Sequence, residues 1–370
     1  MRLIEELGAV IGERRCGTPE AERAAAAVAE AFRDLGLEPR FQEFEFVGYD
    51  FGEPALWVED ERWTAGPCMY SPPTPKGGAE GRVRRLGIDI WAKEFFEVPV
   101  FAIEDGSREV GRICGNPFDG GAIPFVVSHG HILGGPQVFV STADAAKLER
   151  MEGAQARLTV EGRFVPGRRD RNVLAVLPGE SKETVVVSAH HDSVWGGPGT
   201  IDNATGVEGV RRIAERLTGR RLQRTVLFAT WAAEEIALQG SRWFVEEAKI
   251  AGELDRIVGV VNLDCIGHGK YLELLVGPPE LRGRALQLVH QLGLGDRYEL
   301  RVFPPVGGTD HYWFGQNKIP AISILHFPYP EYHLPEERIE LVDEQRLEDA
   351  VELALALVES QLAEPVPRER

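Results

Sequence analysis

The chain has 370 residues, 43% of them hydrophobic and 27% charged, with a formal net charge of −17. That length suits one large domain or two, and the composition is ordinary for a globular protein. The acid excess argues against nucleic acid and anionic membrane surfaces as partners, because both would be repelled. Met1–Leu7 lacks the apolar core of a signal peptide, and no apolar run is long enough to span a bilayer, so a cytoplasmic protein with no membrane partner is expected. Cys16, Cys68, Cys114 and Cys265 show no C-x-x-C spacing and read as free thiols in a reducing compartment.

In chain order, Thr18-Pro19-Glu20 opens a helix, with Thr18 as N-cap, Pro19 in the first turn and Gly36 after the end. Its apolar stripe is Ala21, Ala25, Val28, Phe32 and Leu35. Phe41 to Phe46 alternates like a half-buried strand. From about Asp50 to Gly162 the texture changes to Pro- and Gly-rich turns with short β-like runs, Val98–Ile103 and Ala122–Val127 among them. Gln137–Thr142 leads into a helix over Ala143–Met151, and Arg157–Glu161 is a further strand.

From Asn172 onward strands alternate with helices, the pattern of a mostly parallel sheet with helices on both faces. Asn172–Leu177 and Thr184–Ala189 are expected to pair as early strands. Val207, Val210, Ile213, Ala214 and Leu217 make one helical stripe, and Ser241–Ala251 is another helix. Tyr271–Val276 and Pro320–Leu325 add strands. Leu347, Val351, Leu355, Val358 and Leu362 define a last helix before a frayed tail.

Ligand-type residues gather just after these strands. The run Thr225–Ala233 ends on Glu234-Glu235, and adjacent side chains at a strand end point different ways, so one carboxylate could hold a metal while the other faces a water. Val185–Ala189 ends on His190-His191-Asp192. Gly199–Gly206 is a Gly-rich turn carrying Asp202 and Asn203, Ile257–Val261 ends on Asn262-Leu263-Asp264, and Tyr332-His333 follows later. Open α/β sheets bind ligands at the carboxyl ends of their strands, and two imidazoles among several carboxylates suit zinc.

In this order the motifs resemble those of the co-catalytic dinuclear zinc aminopeptidases, relatives of bacterial leucyl aminopeptidase and of glutamate carboxypeptidase. The resemblance implies an α/β fold with a mostly parallel central sheet, a discontinuous peptidase domain over 1–49 and 163–370, and a smaller β-rich insert over 50–162 of the protease-associated kind. It implies two zinc ions per chain, replaceable by cobalt or manganese. His190 and Asp264 would complete one site, Glu235 and His333 the other, and Asp202 would bridge them. Glu234 would be the general base, Asp192 would orient the His190 ring, and Tyr332 would steady the developing oxyanion. Relatives often have a cis peptide after the aspartate that orients the histidine, here Asp192. Peptides would be the substrates, and a homo-oligomer is compatible with the chain.

Several residues have rival readings. His191 is read as lining the cleft beside His190. Strand alternation should turn Cys265 away from Asp264. His129-Gly-His131 reads as a surface loop, and His268 and His326 as structural. Asp310-His311 reads either as a pocket wall or as a plain helix cap. Ile236 stands where relatives often have Gly. A glutamate-type carboxypeptidase would need arginines for the substrate carboxylate, for which Arg82, Arg84 and Arg85 are candidates. A glutaminyl cyclase and a catalytically inactive binding protein are the remaining alternatives on this scaffold.

Overall fold

The computed structural model of the protein describes residues 3–91, 96–126 and 135–367. His129 and His131 lie outside the described residues, as does Val127 at the end of one expected strand. The chain divides into two compact units, one of residues 1–45, 169–328 and 337–370, the other of residues 46–168 and 329–336.

The first unit is built on an eight-stranded sheet whose strands are β1 (Arg40–Phe51), β2 (Gly162–Leu177), β3 (Ser181–His190), β4 (Arg224–Trp231), β5 (Ile257–Leu263), β6 (Tyr271–Gly277), β7 (Leu300–Phe303) and β8 (Ala321–Phe327). Their spatial order is β1-β2-β4-β3-β5-β8-β6-β7. The four central strands β4, β3, β5 and β8 are mutually parallel, while β2 and β6 flank them antiparallel. Alternate side chains of one strand enter different cores. Val185 and Val187 join Phe32, Val210, Leu281 and Val351 on one face, whereas Val186, Leu227 and Trp231 join Phe244 and Phe314 on the other. Helices Pro19–Asp34, Gly206–Leu217, Pro279–Gln291 and Glu344–Ala363 therefore cover one face and Gln239–Ile250 the other. The strand interiors are apolar without alternation because both faces are buried.

One expected pairing is corrected. Asn172–Leu177 does not pair with Thr184–Ala189, because β4 lies between them. The turn that separates the two strands in sequence packs against the start of β4 instead of closing a hairpin. The Gly179 N–H donates to Thr225 Oγ1 at 3.2 Å, and a Cβ on Gly179 would come 2.2 Å from the Arg224 carbonyl carbon. The first helix starts as its sequence requires, with Thr18 Oγ1 accepting the Ala21 N–H at 3.2 Å.

The second unit has its own sheet of nine strands, with long neighbours Ala79–Trp91, Phe96–Asp105 and Arg108–Gly115, and a short helix, Thr142–Leu148, that starts and ends slightly earlier than expected. Leu56, Val83, Phe101, Ile113, Val138 and Leu158 form a separate core. All four cysteines are free, as expected. No helix among the described residues is long and apolar enough to cross a membrane.

Candidate metal centre

Strand register brings three of the ligand-type segments to one edge. Ser188 on β3 stands opposite Asn262 on β5, so His190 and Asp264, each two residues further along parallel strands, come out side by side. On its other side His190 pairs with Trp231, and Glu234 and Glu235 follow after a turn at Ala233, whose φ of 56° is left-handed. Asp202 arrives from the loop ahead of helix Gly206–Leu217. His190 Nε2 lies 2.9 Å from Asp202 Oδ1, 3.5 Å from Asp264 Oδ1 and 4.0 Å from Glu234 Oε2. Two groups, His190 with Asp202 and Asp264, and His190 with Glu234 and Glu235, each offer ligand atoms within 4.8 Å of one another. All five residues are buried.

Asn203 ties two of these segments together. Its Nδ2 donates to the Leu263 carbonyl at 2.9 Å, and its Oδ1 accepts from Gly206 N–H at 2.9 Å and from Cys265 N–H at 3.3 Å. The cis peptide is found here, between Asp202 and Asn203, rather than after Asp192. Asp192 sits under the glutamate turn as well as beside His190. Its Oδ1 is 3.4 Å from His190 Nδ1 and accepts the Glu234 N–H at 3.1 Å, and its Oδ2 accepts the Glu235 N–H at 3.3 Å.

Burial dominates the electrostatics of this cluster. It raises the Glu234 carboxyl well above its ordinary range against the pull of His190, with Asp310, Asp264 and Glu235 adding to the rise. Burial likewise raises Asp264. It opposes the charged form of His190, yet Glu234, Asp264, Asp192 and Asp202 together outweigh it and hold that imidazole well above its usual value. Several acids around one imidazole, out of reach of water, call for a cation. The oxygen and nitrogen donors fit zinc, and His190, Asp202 and Asp264 would hold it there.

Tyr332 and His333 belong to the second unit. The His333 ring stacks on Tyr332 at 3.8 Å, and Tyr332 meets Phe118 edge-on at 5.0 Å. His333 Nδ1 lies 2.9 Å from the Pro124 carbonyl oxygen. That contact needs the proton on Nδ1, which leaves the lone pair on Nε2, the tautomer a metal ligand uses.

Other expectations are corrected. Cys265 is not turned away: its φ of 50° breaks the strand alternation, and its Sγ lies 3.3 Å from Asp264 Oδ1. Burial pushes that thiol well above its ordinary range. His191 does not line a cleft. It is fully buried with Nδ1 3.0 Å from Thr230 Oγ1, and burial lowers it to about 4. Asp310 makes no side-chain cap to the helix after it. It bonds Ser241 Oγ instead, and burial raises it to about 8. His326 is structural, as expected, with Nδ1 accepting the Gly267 N–H at 3.2 Å. Arg84 and Arg85 are occupied by Glu104 and Glu149, and Arg82 by the Gly153 carbonyl.

Sequence reasoning missed two residues. Arg14 is fully buried and binds the carbonyls of His191 and Gly199, both at 2.6 Å. Glu337 Oε1 accepts the N–H of Ile201 at 2.7 Å and of Asp202 at 2.6 Å. Both act on backbone, so no motif marks them.

The sequence profile of peptidase family M28 matches residues 172–358, just over half of the chain. The protein belongs to this family. Among curated relatives, leucine aminopeptidase 2 of Arthroderma otae is 28% identical over 261 residues, 66% of this chain and 51% of the relative. Aminopeptidase YwaD of Bacillus subtilis is 23% identical over 387 residues, 96% of this chain and 82% of the relative. The chain thus spans about half the length of the fungal relative. Among solved structures, a zinc aminopeptidase from Bacillus subtilis superposes with a TM-score of 0.72 at 22% identity, over 97% of this chain and 93% of that one. The expected fold class, α/β with a mostly parallel central sheet, is that of this neighbour.

Proposed function

We propose that this M28 peptidase is a zinc-dependent exopeptidase that releases N-terminal residues from peptides, an aminopeptidase. The observation that carries the reading is the packing of Asp202, Asp264 and Glu234 within 2.9–4.0 Å of His190 Nε2 in a buried site. The names of the relatives support the same activity. Two zinc ions, with cobalt or manganese as substitutes, are the proposed complement. His190 and Asp264 would serve one, Glu235 and His333 the other, with Asp202 shared.

Zinc, when bound, polarises a carbonyl and makes water a competent nucleophile near neutral pH. The protein's own groups do the rest. A carboxylate oxygen of Glu234 takes a proton from the attacking water and hands it to the leaving amine. Its Oε2 lies 4.0 Å from His190 Nε2, beside the proposed ligands, which places it to hold that proton between the two steps. Asp192 holds the glutamate turn and the His190 ring in register, so base and ligand keep a fixed spacing. Tyr332, held by Phe118 and His333, is the proposed donor to the oxyanion. Residues 50–162 are read as a protease-associated insert. The separate core of the second unit supports that reading.

The test is metal analysis of the purified protein with a panel of aminoacyl chromogens, C-terminal acyl-glutamate dipeptides and N-terminal glutamine peptides. Zinc-dependent hydrolysis of the first class is expected. Cleavage confined to the second, or pyroglutamate formation without hydrolysis from the third, would replace the aminopeptidase reading by a carboxypeptidase or a cyclase. Bound metal with no turnover would leave a binding protein.

A further inference from the structure

The loop from His191 to Ile201 separates two proposed ligands by a stretch that contains three glycines, Gly196, Gly197 and Gly199. Left to itself such a loop would be loose, since glycine populates many backbone states. It is held instead by a side chain from far upstream. The Arg14 guanidinium donates from Nε to the His191 carbonyl at 2.6 Å, from Nη1 to Pro198 at 2.5 Å, and from Nη2 to Gly199 at 2.6 Å. Nη1 also donates to Gly12 at 3.1 Å, and the Arg14 backbone N–H donates to Ser193 Oγ at 2.9 Å. One planar fork therefore spans the loop from its first residue to its ninth, which a lysine with a single ammonium could not do.

The far end of the loop is held from another segment, where Glu337 Oε1 accepts the two successive N–H groups of Ile201 and Asp202. Glu337 and Arg14 are both essentially inaccessible, with exposures of 1% and 0%. Removing either would leave buried backbone groups unpaired.

We propose that Arg14 and Glu337 are positioning residues for metal binding, which grip the His191–Asp202 loop from either side so that the side chains of His190 and Asp202 meet the same ion. This inference rests on the zinc reading above. Neither residue touches the ion. Each acts through the backbone that carries a ligand, and such outer contacts typically change metal affinity by about 10–100-fold.

The experiment compares zinc affinity of the metal-free full chain, its Arg14→Lys variant and its Glu337→Ala variant by competition with a chromophoric chelator. Circular dichroism and melting curves of the metal-free forms are recorded alongside. Arg14→Lys is expected to remain folded at the assay temperature and to bind zinc about 10–100-fold less tightly. A variant that melts earlier but binds zinc like the wild type, measured well below its melting point, overturns the inference, since Arg14 would then be structural only. If Arg14→Lys does not fold, Glu337→Ala decides by the same two outcomes. A wild-type chain that binds no zinc removes the zinc reading itself and this inference with it. Tight wild-type binding with unchanged variants removes the inference alone.

Discussion

Asp192 and Glu234 are joined through the main chain: Oδ1 of Asp192 accepts the Glu234 N–H at 3.1 Å, while Oδ2 takes the Glu235 N–H at 3.3 Å. The carboxylate that was expected only to orient a histidine also shapes the turn that presents both glutamates. Asp192→Asn puts an amide NH2 against the Glu235 N–H in one flip, and against the Glu234 N–H and the His190 ring in the other. Zinc affinity is expected to fall about 10–100-fold, with lower turnover. Chelator competition that finds unchanged affinity would show that the contact is dispensable.

Glu234→Gln keeps the shape of the side chain and removes its basicity. Zinc content should stay at the wild-type level while kcat falls by about 10²–10⁴. Metal analysis and steady-state kinetics on the same preparation check both halves. A zinc-loaded variant with full activity would take the proton-transfer role away from Glu234.

His326 lies outside the proposed centre, and burial lowers it to about 3 from the ordinary 6.5. Between those values the unfolded chain binds a proton that the folded chain refuses. Stability is therefore complete above about pH 7 and is lost as the pH falls toward 3, at about 1.4 kcal/mol per pH unit for one such group. His326→Gln keeps an acceptor for the Gly267 N–H and removes the proton. Urea unfolding of the metal-free protein at several pH values from 7 to about 4 should show a shallower loss in the variant. Parallel slopes would mean that His326 does not set the acid limit.

Gly206 stands where the helix after Asp202 approaches β5. A Cβ there would come 2.2 Å from Asn203 Oδ1 and 2.5 Å from the Leu263 carbonyl oxygen. Gly206→Ala has to move the helix or break the Asn203 contacts, at a cost of about 1–3 kcal/mol. A lowered melting temperature together with weaker zinc binding is the expected pair of results. A variant as stable and as zinc-avid as the wild type would mean that the strand and helix separate freely.

Much of this was readable from particular residues. Val185–Ala189 and Ile257–Val261 are β-branched runs that stop at ligand-type residues, and parallel pairing then leaves His190 and Asp264 little choice but to meet. Glu234-Glu235 was visible for the same reason. Pairing order was not: nothing in Pro178-Gly179-Glu180 says that a strand some 45 residues later will fill the gap beside β3. The left-handed backbone at Cys265 defeated strand alternation, which holds only while φ stays extended. Arg14 and Glu337 were hidden because they recognise main-chain atoms, which every sequence shares.

Asn203 reaches beyond its own turn. By bonding Leu263, Cys265 and Gly206 at once, it makes Asp202 and Asp264 parts of one rigid frame. The main chain that carries one acid is thus pinned to the end of the strand that carries the other. Loosening that one amide would free the loop of the first acid from the strand of the second, so a defect at Asn203 would be felt in both places at once.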